Sequence, residues 1–214
     1  AVDRAHRRFE QDQSRLLTAK LPHFGLLQEA AAKLRELYRS WVDQLSRDFA
    51  LLCAQHGYIP RPDLQQRTLY EQEVHPRVQS EGAIALFLVD ALRYEMACEL
   101  ARRMDDKKAK VHLKSRLAEL PSITSVGMNV LAPVCQDGKL TVKGDFEGFR
   151  VGEYTVSSNQ YRLRAMGERS LERQAKGRRT PLEFKLQALS NTSQQKLKAK
   201  VKESALVVVH SREI

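Results

Sequence analysis

The sequence is poor in cysteine and has no long apolar run, and each absence excludes a class of protein. Its 3 cysteines, Cys53, Cys98 and Cys135, lie far apart and form no CxxC pair. This pattern favours buried thiols in a reducing compartment over disulfides or a structural zinc cluster. No apolar run approaches the ~18 residues of a membrane-spanning helix, and the stretch from Ala1 onward has no signal-peptide pattern. We therefore expect a cytoplasmic protein without a membrane segment.

The sequence is rich in positive charge. It has 36 Lys and Arg residues against 26 Asp and Glu residues, a formal net charge of +10. The basic residues are concentrated at 162–179 and 196–202. Such a surface attracts phosphate-bearing partners, including DNA, through counterion release. A solvated basic face is the simpler explanation of any one cluster, and no common nucleic-acid-binding motif is present.

Residues 1–57 have the pattern of a helical segment. Pro22 and Gly25 predict a turn between two helices. The second helix is predicted to end near Gly57, and its apolar residues recur every three to four positions: Leu27, Ala30, Leu34, Leu37, Trp41, Leu45, Phe49 and Leu52. Its apolar face is expected to pack either on another helix of this chain or on a partner protein.

A change of pattern divides the rest of the chain. Residues 58–81 contain Pro60, Pro62 and Pro76 among polar residues, which predicts a linker with one short helix around 64–74. From residue 82 to 214, strand and helix patterns alternate, as is typical of an α/β domain. We expect a mostly parallel sheet flanked by helices and preceded by the helical amino-terminal segment.

Individual elements follow from local patterns. Strands are predicted at 83–89, 110–117, 140–142, 149–151 and 205–210, with the second parallel to the first. Helices are predicted at 91–104, 125–131, 158–166 and 192–202, and Thr180-Pro181 favours a further helix start. Asp137-Gly138 and Gly144-Asp145 predict turns.

Two side chains are candidates for chemistry. Asp90 ends the first apolar run, at the sheet edge where α/β proteins bind ligands; alternatively, it caps the helix that follows. Thr124 follows Pro121 and is expected at the positive end of a short helix, which helps to hold a phosphate. Its hydroxyl has the same simple alternative role as a helix cap.

Three sequence blocks resemble the PglZ domain, a branch of the alkaline phosphatase superfamily in phage-defence systems of the bacteriophage-exclusion (BREX) type. They are LVDALRYE at 88–95, LPSIT at 120–124 followed by Gly127-Met128, and VVVHSREI at 207–214. Their order and approximate spacing are similar to those of the family. The resemblance begins near Ala83 and does not include the helical first part of the chain.

The resemblance implies a hydrolase of phosphate esters, either a phosphatase or a phosphodiesterase. In the superfamily, a threonine or serine nucleophile lies close to two divalent ions, usually zinc. Carried over to this chain, Asp90 resembles the first metal ligand, and Thr124 resembles a nucleophile that also contacts a metal ion. Asn129 is a weaker candidate for contact with a phosphoryl oxygen, because an Asn in a short helix commonly faces solvent. The implied partners are other phage-defence proteins.

The resemblance is incomplete. The superfamily needs further acidic and histidine ligands, whereas the sequence stops at Ile214, so we expect this chain alone to be inactive. His210 receives no metal role, because the expected ligand is an acidic residue slightly farther on. His112, a lone histidine, is more typical of a structural residue than of a ligand. Tyr94 and Glu95 are expected on a helix surface, and the role of Arg93 stays open. The alternative function is a non-catalytic scaffold that binds protein partners and DNA.

Overall fold

The computed structural model describes residues 1–16, 21–58, 61–80, 84–107, 109–134, 139–142, 146–171, 181–202 and 204–211. The chain divides into two compact units: Ala1–Pro60 with Arg93–Leu113, and Arg61–Leu92 with Lys114–Ile214. Within the described ranges, no helix has both the length and the apolar character needed to cross a bilayer. The division into a helical segment at 1–57, a linker at 58–81 and an α/β domain at 82–214 stays a prediction.

The helices are α1 (Val2–Leu16), α2 (Phe24–His56), α3 (His75–Ser80), α4 (Tyr94–Asp105), α5 (Thr124–Asn129), α6 (Asn159–Leu171), α7 (Leu186–Ser190) and α8 (Gln194–Val201). The strands are β1 (Ile84–Val89), β2 (Lys139–Val142), β3 (Phe146–Val151), β4 (Tyr154–Val156), β5 (Leu182–Lys185) and β6 (Leu206–Ser211). The predicted α/β class and the helical amino-terminal segment are therefore confirmed.

The first unit contains α1, α2 and α4. The predicted end of α2 is confirmed, because Gly57 adopts a positive φ of 77° and its N–H donates to the carbonyl of Cys53 at 2.9 Å. Helix α1 lies against the first part of α2, where the Arg35 guanidinium donates to the Glu10 carboxylate at 2.8 and 2.7 Å. Farther along α2 the apolar stripe stays open to solvent: Trp41 is 41% exposed and Leu45 is 51% exposed.

The second unit contains a parallel three-stranded sheet in the order β1-β6-β5. The central strand β6 is buried along its whole length, as its valine-rich sequence predicts. Strand β1 is not buried on both faces, although its almost wholly apolar run favours such burial. Its residues alternate instead, with Phe87 50% exposed and Leu88 3% exposed, so one face of this edge strand is not covered.

Two predicted elements differ from the structure. Residues 110–117 do not form a strand. The side chain of Arg116 bonds the turns at 62–68 and donates to the carbonyls of Asp63 (2.9 Å) and Gln65 (3.1 Å). Only Leu117 makes a bridge, as a parallel partner of Gln65. After Pro181 the chain forms strand β5 and not a helix, and a proline is also tolerated where an edge strand begins. Thr180 lies outside the described residues.

Residues 61–80 contribute to the core of the second unit. Short helical turns, Pro62–Leu64 and Gln66–Thr68, lead into a π-helical turn, Tyr70–Val74, and then α3. Three of their side chains join the core, together with strand and helix residues: Tyr70, Val74, Val78, Val126, Phe149, Met166 and Val208. Burial raises the pKa of the Tyr70 phenol to about 12. This stretch is therefore packed, although its prolines favour a linker.

A second sheet is antiparallel, in the order β2-β3-β4. Strands β2 and β3 confirm the predictions at 140–142 and 149–151, whereas the sequence analysis did not predict β4. The predicted helices at 158–166 and 192–202 are confirmed as α6 and α8, with shifted ends. The predicted turns at Asp137-Gly138 and Gly144-Asp145 lie outside the described residues.

Candidate active site

Asp90 lies where the carboxyl ends of β1 and β6 meet. Its N–H donates to the carbonyl of Ser211 at 3.2 Å, and its carboxylate accepts a hydrogen bond from the N–H of Ala91 at 2.9 Å. Ala91 is left-handed, with φ 57°, so the chain turns sharply after the strand. Helix α4 begins only at Tyr94, with Arg93 as its cap residue. Asp90 therefore does not cap this helix, which removes its simplest structural role.

Thr124 is the first residue of α5 and is exposed. The cap residue is Ile123, which makes no side-chain cap hydrogen bond. Within the described part of the chain, the Thr124 hydroxyl has no hydrogen-bond partner. The capping role that the sequence allowed for Thr124 is therefore not seen, and Thr124 is open to solvent.

The opposite side of α5 is fixed in the core. Val126, within α5, and Val130, the cap residue that follows it, are both 0% exposed. Apolar burial of this kind contributes roughly 1.5–3 kcal/mol for each fully buried side chain. The short helix is too short to be stable alone, so packing holds it in place. Thr124 thus stands on the exposed end of an immobilised helix.

Asn129 has a structural role that the sequence analysis did not predict. It is 1% exposed, and not solvent-facing as expected. Its Nδ2 donates to the carbonyl of Ser125 at 2.7 Å, and its Oδ1 accepts from Arg162 Nη1 at 2.6 Å. Arg162 also donates to Asn159. Because its amide is engaged at both ends in the core, Asn129 is not placed to contact a phosphoryl oxygen.

Arg162 was also mispredicted. It begins the basic stretch that the sequence assigns to a solvated face, yet it is 5% exposed. Its neighbours on α6, Ala165 and Met166, are buried as well. The only sequence signal of its burial is that Arg162 shares helical spacing with apolar residues of α6.

Gln66 makes two contacts around the segment that carries Thr124. Its Nε2 donates to the carbonyl of Gly127 at 2.9 Å, and its Oε1 accepts from the N–H of Glu119 at 2.9 Å. The next residue, Arg67, pairs with the Glu119 carboxylate. No sequence signal could have identified Gln66, because its partners lie 53 and 61 positions away.

The remaining sequence candidates lie elsewhere. His210 is 8% exposed, with its Nε2 3.2 Å from a Glu183 carboxylate oxygen on the neighbouring strand β5. In the first unit, Glu95 is buried and pairs with Arg93 at 2.9 Å, contrary to the expected surface position, whereas Tyr94 is 57% exposed. His112 is exposed, which is compatible with a structural histidine.

Asp90 and Thr124 belong to the same compact unit, at the end of β1 and the start of α5. Their convergence on one metal ion stays a prediction. Among the described residues, no three His, Cys, Asp or Glu side chains form a group that could hold an ion. Catalytic zinc normally takes three protein ligands, so the described residues do not make up a complete metal centre.

The chain is similar in sequence to proteins of a known family. Residues 69–214 match the family model described as the BREX system PglZ alkaline phosphatase-like domain. The chain is 34% identical over 103 residues to the alkaline phosphatase-like protein BrxZ of Escherichia coli O9:H4 (strain HS), covering 47% of this chain and 11% of that protein. It is 31% identical over 131 residues to the alkaline phosphatase-like protein PglZ of Bacillus cereus (strain H3081.97), covering 60% of this chain and 14% of that protein. No solved structure matches.

Proposed function

We propose a function from one premise: this chain belongs to the family of BREX system PglZ alkaline phosphatase-like domains. It spans 11% and 14% of the lengths of the two relatives, so the activity proposed is that of a longer protein. That protein is a metal-dependent phosphatase or phosphodiesterase of a phage-defence system. Thr124 is its nucleophile, and Asp90 is one of its metal ligands.

The exposed hydroxyl of Thr124 at the first position of α5 is the observation that carries this proposal. A nucleophile must reach its substrate and must also be held in a reactive position. Thr124 is exposed while Val126, in the same helix, is 0% exposed. The Thr124 oxygen, on losing its proton, would attack phosphorus and form a covalent phosphoryl or nucleotidyl ester as the bond from phosphorus to the leaving oxygen breaks. The leaving oxygen would take up a proton and depart as the alcohol, and water would then hydrolyse the ester and restore the Thr124 hydroxyl.

Asp90 supports the same proposal from the sheet. A carboxylate oxygen is a ligand that hard divalent cations prefer, and Asp90 has no helix to cap. Together, Asp90 and Thr124 supply fewer donors than a catalytic zinc normally takes. We therefore propose that the remaining ligands lie outside the described residues and that the complete domain binds divalent ions, with zinc as the expected metal.

The test is replacement of Thr124 in the longer protein. Thr124→Ala should lower hydrolysis of an activated phosphodiester by on the order of 10³-fold or more, since the nucleophile is lost, while Thr124→Ser should keep part of the activity. Ser125→Ala is the matched control, because Ser125 is the adjacent exposed hydroxyl on α5. Turnover by Thr124→Ala at the wild-type rate, with zinc present, would remove Thr124 from the mechanism.

The alternative is a scaffold that joins proteins and DNA in a defence complex. It is favoured by the exposed apolar stripe on α2, where Phe49 is 43% exposed and Leu52 is 55% exposed, and by the net charge of +10. Metal analysis of the longer protein separates the two functions. A protein that contains no zinc, hydrolyses no phosphoester and still binds partner proteins would be a scaffold. DNA binding that weakens steeply with salt would assign a role to the basic surface.

A further inference from the structure

We propose that Gln66 is a positioning residue, which holds the segment around Thr124 in its reactive conformation. This inference rests on the proposed role of Thr124 as the nucleophile. Gln66 precedes residues 69–214, which match the family model. It also lies in a stretch whose sequence predicts a linker, so neither the family match nor the sequence pattern assigns it a role.

The side-chain amide of Gln66 joins the two flanks of the Thr124 segment. Its Oε1 accepts from the N–H of Glu119, before the loop, and its Nε2 donates to the carbonyl of Gly127, inside α5, both at 2.9 Å. The carbonyl lies near the end of a six-residue helix, where carbonyl groups lack partners within the helix. One planar group therefore fixes the separation between the start of the loop and the helix that follows Thr124.

The support that carries Gln66 is itself constrained. The N–H of Leu117 donates to the carbonyl of Leu64 at 2.8 Å, and Arg67 pairs with the Glu119 carboxylate, whose side chain is 12% exposed. Arg116 donates to the Thr68 hydroxyl at 2.9 Å. The turns at 62–68 are thus bonded to the strand-like entry of the loop at several points. The Gln66 amide has little freedom to move without moving its partners.

The far end of the segment is held separately by the core. Val126 and Val130 are 0% exposed, and Asn129 bonds Arg162. With both ends fixed, the position of Thr124 depends on the few residues between Glu119 and Gly127. A displacement of about 1 Å at a reacting group can lower a rate on the order of 10²-fold. A side chain that fixes this segment is therefore expected to affect turnover and not only stability.

The chemistry of glutamine fits this position because an amide presents one acceptor and one donor on the same plane. Gln66→Met keeps the length and removes both hydrogen bonds. Gln66→Glu keeps the acceptor for Glu119 but places a second acceptor against the Gly127 carbonyl. The matched control is Gln72→Met, because Gln72 also uses its side-chain oxygen, accepting from Arg116 Nη2 at 2.9 Å.

The experiment combines a conformational and a kinetic measurement on the longer protein. In Gln66→Met, amide hydrogen exchange across 119–127 should become about tenfold faster, the effect of losing one to two net hydrogen bonds. The kcat for an activated phosphodiester should fall by on the order of 10–100-fold with KM little changed. Gln66→Glu should be intermediate, and Gln72→Met should match the wild type in both measurements.

The two measurements separate this inference from the proposed function. Unchanged exchange and unchanged kcat in Gln66→Met, with Thr124→Ala inactive, would overturn the role of Gln66 and leave the nucleophile in place. Faster exchange with a fully active Thr124→Ala would support Gln66 as the residue that fixes this segment and would reject the proposed nucleophile. If Gln72→Met lowers kcat as much as Gln66→Met does, the falls in kcat reflect a general loss of stability, and the inference is overturned.

Discussion

Replacement of the buried arginine tests how α5 is held in the second unit. Arg162 is 5% exposed, and its guanidinium donates to Asn129, which is 1% exposed, at 2.6 Å. A hydrogen bond from a charged donor contributes about 1.5–3 kcal/mol, and a buried acceptor left without a donor costs about 1–3 kcal/mol. Relief of the cost of burying the charge offsets part of this loss. We therefore expect Arg162→Met to lower the free energy of unfolding by about 2–4 kcal/mol.

The matched control is Arg164→Met, on the same helix. Arg164 pairs with Glu168 at 2.8 Å, but the two side chains are 56% and 51% exposed, so the pair is screened by water and its loss should matter much less. Because Asn129 and Arg162 are in contact, the double variant Asn129→Leu/Arg162→Met should lose clearly less stability than the sum of the two single changes.

Hydrogen exchange of the amides of α5 and α6 at increasing urea concentration measures the second unit, while fluorescence of Trp41, the only tryptophan, reports the first. This separation matters because a chain of two compact units need not unfold in one step. The expected result is that the amides of α5 and α6 exchange fast at a lower urea concentration than in the wild type, with little change in the Trp41 fluorescence transition. If Arg162→Met lowers the free energy of unfolding no more than Arg164→Met does, the bond between Arg162 and Asn129 does not stabilise α5.

Two further variants test the core and the second sheet. Tyr70 has a folded-state pKa raised to about 12 by burial, above an unfolded value of about 10, so its neutral form contributes stability that is complete below about pH 10 and is lost as the pH rises towards 12. The loss amounts to about 2–3 kcal/mol, so the free energy of unfolding of Tyr70→Phe should fall less steeply above pH ~10 than that of the wild type. Tyr161 is 38% exposed, so Tyr161→Phe should keep the wild-type fall. An equal fall in Tyr70→Phe and the wild type would contradict the raised pKa of Tyr70. Gly148 has φ +125°, and an added Cβ would lie 2.6 Å from the carbonyl oxygen of Val156. At Gly152, φ is +53° and the space around an added Cβ is open. Gly148→Ala should therefore lower the melting temperature far more than Gly152→Ala.

The sequence predicts the parts of the fold that depend on local apolar patterns. Strands β1 and β6 are recognised by their apolar runs, and α2 by a stripe that ends at Gly57. The pattern fails where polar side chains decide the structure. Residues 110–117 alternate like a strand, yet Arg116 and Lys114 bond side chains and carbonyls at 63–73. Strand β5 is short and mixed in polarity, and Pro181 before it fits a helix start equally well.

The candidate site is predictable only in part for a similar physical reason. Asp90 and Thr124 follow from local features, a carboxylate after an apolar run and a hydroxyl after a proline. The side chains that bond α5 come from distant positions: Gln66 lies 61 residues before its partner Gly127, and Arg162 lies 33 residues after Asn129. Pairings over such distances leave no periodic trace in the sequence. Asn129 was expected to face solvent because it is polar. It is buried instead, because it bonds the buried Arg162.

The most direct test of the proposed mechanism is to trap the covalent intermediate on the longer protein. An activated phosphodiester is mixed with the protein, the reaction is quenched in acid, and the peptide that contains residues 119–127 is examined by mass spectrometry. We expect a phosphoryl or nucleotidyl group on Thr124, present in Ser125→Ala and absent in Thr124→Ala. Continued hydrolysis with the group on another residue, or with no modified peptide under conditions that trap it, would contradict the role of Thr124.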